Sequence, residues 1–85
     1  METIDGRESH LYRISGERAV RAPTPTHAAW ALAKRMARRQ YGRRGDAYCV
    51  HVVGHSENGA AAHYAARLEG ANGYGTSAQF VVRRA

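Results

Sequence analysis

The run from Thr24 to Gly42, TPTHAAWALAKRMARRQYG, constrains this chain more than any other stretch. Placed at about 100° per residue, Leu32, Met36, Ala29, Ala33, Ala37, Trp30 and Tyr41 fall in one sector. Lys34, Arg35, Arg38 and Arg39 fill the opposite sector, and no acid interrupts them. A helix divided this way lays its apolar side on a sheet and leaves its charges outside. Its ends are also marked. Thr24 before Pro25 suits an N-cap and a first helical position, and Gly42 suits the left-handed residue just past the end.

The remaining segments read as strands. His10 to Ser15 places Tyr12 and Ile14 on one side, with Leu11 and Arg13 on the other. Ser15-Gly16-Glu17 is a turn signal, and Arg18 to Ala22 returns as a second strand until Pro23 and Pro25 end pairing. After the helix and an Arg43 to Asp46 connector, Ala47 to His55 is the strongest strand. Glu57-Asn58-Gly59 reads as a hairpin loop whose length sets the register of the next strand, Ala61 to Leu68. A two-residue loop sets Tyr64 and Leu68 beside His51 and His55. A three-residue loop sets Tyr64, Ala66 and Leu68 beside Tyr48, Val50 and Val52, which collects the apolar groups on one side and is the arrangement adopted. Glu69 to Ser77 reads as a glycine-rich loop, and Ala78 to Arg83 closes the sheet.

The expectation is an α+β fold of order β-β-α-β-β-β, an antiparallel sheet of four to five strands with one helix packed on one face. All 85 residues form one domain, 1–85, with residues 1–9 as a flexible tail. Leu32, Met36, Val50, Val52, Tyr64, Leu68 and Phe80 are the expected core. Most other apolar positions are Ala or Val, so that core is thin.

Charge is placed unevenly. The formal net charge is +6. Lys34, Arg35, Arg38, Arg39, Arg43 and Arg44 account for all of it, because the other basic residues balance the acids. These six are the first candidate binding surface, able to neutralise four to six phosphates in a salt-dependent way. The open sheet face is the second: Arg13, His51, His63, Arg67 and Arg83, with Gln79, among Leu11, Val53 and Val81. It lacks the stacked aromatics of an RNA-recognition sheet.

Other chemistry finds little support. Cys49, His51 and His55 alternate along one strand, with His63 across the hairpin on the same outer face. Cys49 and His55 stand about 20 Å apart at roughly 3.3 Å per residue, too far to share an ion; His51 with His63 is the pair left, and two ligands make a weak site, so no metal is expected. His55-Ser56-Glu57 holds nucleophile, base and acid types, but consecutive turn residues do not converge on one substrate atom. Gly70, Gly73 and Gly75 precede no helix that would cradle a phosphate. No enzyme, cofactor or small-molecule substrate is expected. No run approaches the roughly 18 apolar residues of a membrane helix, the N-terminus is too polar for a signal peptide, and the single cysteine fits a reducing compartment.

The order of parts resembles a known family. A β-hairpin comes first, followed by a helix carrying Ala33-Lys34-Arg35-Met36-Ala37 and a strand. Glu57-Asn58-Gly59 opens the next strand, and Glu69-Gly70 precedes the last. This layout resembles the small phage-encoded anti-CRISPR proteins that inhibit type I surveillance complexes, in particular a type I-F inhibitor with a five-stranded sheet and one helix. The chain departs from that pattern in its greater length, its Gly70 to Ser77 loop and its use of arginine over lysine. The resemblance implies a non-enzymatic inhibitor in the cytoplasm of a bacterial host. It would bind backbone subunits of the crRNA-guided complex and keep target DNA from the guide, with Lys34 and Arg35 as the positions carried over. A small DNA- or RNA-binding regulator using the same arginines is the alternative.

Overall fold

Thr24 starts the helix as its residue type predicts, with its hydroxyl accepting the His27 N–H at 3.1 Å. The computed structural model describes residues 3–4, 7–14, 17–56 and 60–85. In chain order these form β1 (Thr3–Ile4), β2 (Arg7–Glu8), β3 (His10–Arg13), β4 (Val20–Ala22), α1 (Pro25–Tyr41), β5 (Asp46–His55), β6 (Ala61–Glu69) and β7 (Gly75–Arg84). Five of the strands make one antiparallel sheet in the order β4-β3-β7-β6-β5, and α1 packs across one face of it. The fold is α+β, and the helix with the strands of this five-stranded sheet follows the expected order β-β-α-β-β-β.

Where the tail was expected, β1 and β2 pair as a two-residue ladder, Thr3 opposite Glu8 and Ile4 opposite Arg7. The turn at Ser15-Gly16 and the loop at Glu57-Asn58-Gly59 lie outside the described residues. Past the helix, Gly42 takes φ 82° and donates its N–H to Arg38 O at 2.8 Å, a backbone that glycine tolerates and other residues resist.

The core is narrow because the helix presents alanine. Ala28, Ala29, Leu32, Ala33 and Ala37 are fully buried against Tyr64, Ala66, Leu68, Phe80 and Val82 of the sheet. Tyr64 and Phe80 stack with ring centroids 6.2 Å apart, and the Tyr64 hydroxyl meets Thr26 Oγ1 at 2.9 Å, at the start of the helix. Some placements differ from the helical wheel. Ala28 joins the buried stripe, Trp30 stands 37% exposed at its margin, and Met36 is only partly covered.

The largest departure from expectation is in β5. Val52 lies opposite Tyr64 as expected, but next to the loop His55 pairs with Ala62 and not with Ala61, as a three-residue loop requires, and Ala47, not Tyr48, lies opposite Leu68. A bulge between Tyr48 and His51 adds a residue to β5 there, with Cys49 at φ 55°, and a second bulge falls between Val52 and Gly54. Each bulge reverses the alternation beyond it. Ala47 and Val50 therefore both turn inward, three positions apart, and Tyr48 turns outward beside Arg67, 46% exposed. Val52 does not join the core as expected. It is 44% exposed on β5, the outermost strand of the sheet. His55 pairs with the inward-facing Ala62 and so leaves the open face assigned to it. The glycine-rich loop is also shorter than expected. Glu69 and Gly75 to Ser77 are strand, leaving residues 70–74 as the connection.

Candidate anion-binding surface

The basic side of α1 divides into two columns, each a pair spaced four residues apart. Arg35 and Arg39 face the β3–β4 connection. Arg35 Nη1 donates to Arg18 O at 3.1 Å, and Arg39 grips the Glu17 carboxylate through both terminal nitrogens, one at 3.0 Å to Oε2. The Arg39 hydrogen bond holds the Glu17 carboxyl below the usual carboxylate range, although burial pushes the other way. Arg35 is half-buried. These two arginines hold the fold together as well as carrying charge.

The second column, Lys34 and Arg38, continues past the helix into Arg43 and Arg44. All four are exposed, and among the described residues none of their side chains makes a hydrogen bond or ion pair. The helix C-terminus that they surround is itself partially negative, which favours cations in its last turn. The result is a ridge of four uncompensated charges on the side of the helix that the core does not use. It suits successive phosphates or an acidic protein groove.

The open sheet face gathers the second set of candidates. Arg13 and Arg83 are direct cross-strand partners, both exposed, and Arg67 lies opposite Ser77. Arg67 is partnered by Glu69 at 2.8 Å. His63 lies opposite Val81, and His51 is opposite Ala65 on the same face. The His51 ring is committed: its Nδ1 lies 2.6 Å from Cys49 O, and a carbonyl only accepts, so Nδ1 carries the proton. Among the described residues no three of His, Cys, Asp and Glu gather as a metal site. The first bulge displaces Cys49 from the expected row, and the second carries His55 out of it.

Glu17 and Tyr48 are the residues that sequence reasoning missed. Glu17 is the only acid between Glu8 and Asp46, and that isolation next to an all-basic helix was a usable signal. Tyr48 gives the open face an aromatic beside Arg67, and no residue type in the strand announces the bulge that turns it outward. Among the described residues no helix is long and apolar enough to cross a membrane. No protein-family model, curated protein or solved structure matches this chain.

Proposed function

We propose that this protein acts by stoichiometric binding and not by catalysis. Its ridge of Lys34, Arg38, Arg43 and Arg44 engages an anionic macromolecular surface. In the anti-CRISPR reading, that surface belongs to the backbone subunits of a type I crRNA-guided complex, and occupancy keeps target DNA from the guide. The observation that supports binding is the uncompensated charge. An ordinary solvated helix face mixes signs, whereas this ridge holds four cations that no acid among the described residues neutralises. The partner assignment rests on the resemblance and on the five-stranded sheet with one helix that the two layouts share.

One experiment separates the partner from bare nucleic acid. A purified type I complex carrying crRNA is mixed with the protein and then challenged with labelled target duplex, while the same duplex is titrated alone. The proposal expects the protein to co-migrate with the complex, to block duplex capture near equimolar ratio, and to hold free duplex only at low salt. Tight, salt-steep binding to free duplex with no effect on the complex would assign the ridge to a nucleic-acid-binding regulator.

A further inference from the structure

Among the described residues, three strand edges of this sheet pair with no neighbouring strand along most of their length, and two of them are blunted. β4 has only three residues and runs into Pro23. β5, at the other end of the sheet, is broken by two bulges, with Cys49 at φ 55°. Short strands, prolines and bulges are the devices that keep an edge from pairing with other chains. The third edge carries none of them. β7 lies inside the sheet, yet β3 pairs with it only at Arg83 and Arg84. Among the described residues, its far side from Gly75 to Val82 pairs with no strand, while its register with β6 runs without a shift. The open length is about 25 Å.

The backbone groups on that edge can be assigned. Ala85 N–H donates to Leu11 O at 2.8 Å, and Arg13 lies opposite Arg83. In antiparallel alternation, odd-numbered residues of β7 therefore turn N–H and C=O toward the β3 side, and even-numbered ones toward β6. Ser77, Gln79 and Val81 present donors and acceptors along the open edge. Their side chains stand on the face away from the helix, whereas Phe80 faces the core.

A groove of about 750 Å³ runs beside this edge. Phe80 and Val81 form one wall, Ile14 and Ala19 of the β3–β4 connection form the other, and Arg13 and Arg83 line it where β3 leaves β7. Two like charges directly across a ladder repel unless an anion sits between or beside them. The one acid in the groove lining, Glu17, is already gripped by Arg39. A second copy of this chain would bring its own Arg13 and Arg83 to the edge, which argues against self-pairing.

We propose that the open edge of β7 accepts an added strand: an extended acidic segment of a partner protein, running antiparallel to β7. The segment's backbone pairs with Ser77, Gln79 and Val81. Side chains opposite these residues fall on the open face, where carboxylates meet Arg13 and Arg83. The side chain opposite Phe80 falls on the other face, where an apolar group meets Phe80 and Ile14. Strand addition draws affinity from the main chain and selectivity from alternate side chains. The inference does not depend on the basic ridge or on the resemblance.

The test uses the intact ¹⁵N-labelled protein and a capped eight-residue peptide of alternating valine and glutamate. Amide exchange and chemical shifts are read by NMR. The expected result is exchange slowed by about tenfold or more at Gln79 and Val81, with α1 amides unchanged. A valine–lysine peptide and a valine–glutamate peptide N-methylated at alternate residues should produce no protection. Gln79→Pro removes an edge N–H that β6 does not use and should abolish binding. An Arg13→Glu, Arg83→Glu double variant, which leaves the backbone intact, should weaken binding by about tenfold and favour the valine–lysine peptide. The proposal is overturned by unprotected Gln79 and Val81 amides, by equal binding of the N-methylated peptide, or by shifts confined to α1. Protection that grows with protein concentration in the absence of peptide would also overturn it, by placing a second copy on the edge.

Discussion

Arg39 and Glu17, twenty-two positions apart, form a two-nitrogen, two-oxygen fork that ties the β3–β4 connection to the helix. Arg35 adds a second tie through Arg18 O. Together they draw the connection toward α1, on the wall of the groove opposite β7. The fork also has a pH signature. Glu17 is held below its ordinary value, which is about 4.3 in an unfolded chain. Its contribution to stability is therefore fully present above that value and is lost as pH falls through the lower folded pKa. Urea midpoints stepped downward from neutral pH should show Glu17→Gln less stable at neutrality and converging on the parent in acid. Parallel curves with a constant offset would mean that the carboxylate's charge contributes nothing.

Core substitutions should follow burial and not hydrophobicity alone. Leu32 is fully buried and Leu68 nearly so, and truncation of either to Ala should cost about 2–5 kcal/mol, a large share of a small domain's stability. Val52→Ala, at a residue 44% exposed, should cost less than about 1 kcal/mol. Denaturant unfolding of the three variants checks this ranking, and a Val52 loss equal to that of Leu32 would contradict its exposed position on the outermost strand.

Cys49 offers a stabilising change. An L-residue in the left-handed region costs roughly 1–2 kcal/mol, and glycine in a strand costs about 0.5–1 kcal/mol in chain entropy. At φ 55° the first term outweighs the second, so Cys49→Gly should raise stability by about 0.5–1 kcal/mol. Cys49→Val should lower it by more than about 1 kcal/mol, because a β-branched side chain resists this backbone. Thermal melts of the pair in reductant give the sign directly.

Gly45 is constrained by space. A Cβ there would stand 2.3 Å from the Ala37 carbonyl oxygen, a backbone atom that no side-chain movement relieves. Gly45→Ala should therefore separate the end of α1 from the start of β5 and destabilise by about 1–3 kcal/mol. Gly54, which has open space around its Cβ position, should accept Ala with little change in melting temperature and serves as the control.

The parts of this fold that the sequence reveals are those governed by local rules. Thr24, Pro25 and Gly42 mark the helix because capping chemistry acts within one turn, and the alternation of Tyr12 and Ile14 or of Tyr64, Ala66 and Leu68 marks inward faces. The bulge at Cys49 left no such mark. Neither glycine nor proline stands there, and only the competition between pairing and packing across β6 decides it. The six basic candidates were visible as a cluster, but their division was not. It depends on Glu17 reaching α1 from a distant connection, so Arg35 and Arg39 separate from Lys34, Arg38, Arg43 and Arg44 only in three dimensions. The open edge of β7 was hidden for a similar reason, since it exists only because β3 stops at Arg13.

That division decides which charges to reverse in a test of binding. Replacing Arg35 or Arg39 breaks ties to the β3–β4 connection, so loss of activity there would mix folding with recognition. Arg38, Arg43 and Arg44 are exposed and hold no partner among the described residues. An Arg38→Glu, Arg43→Glu, Arg44→Glu variant should keep its melting temperature within about 3 °C of the parent. Its affinity for an anionic partner should fall by at least about a hundredfold at low ionic strength, since three attractions become repulsions. The deficit should shrink as salt is raised, because screening weakens both signs alike. Competition binding at two salt concentrations measures both effects. A folded triple variant that still captures a type I complex at parental affinity would remove the ridge from the interface and leave the Arg13 and Arg83 edge as the surface to examine.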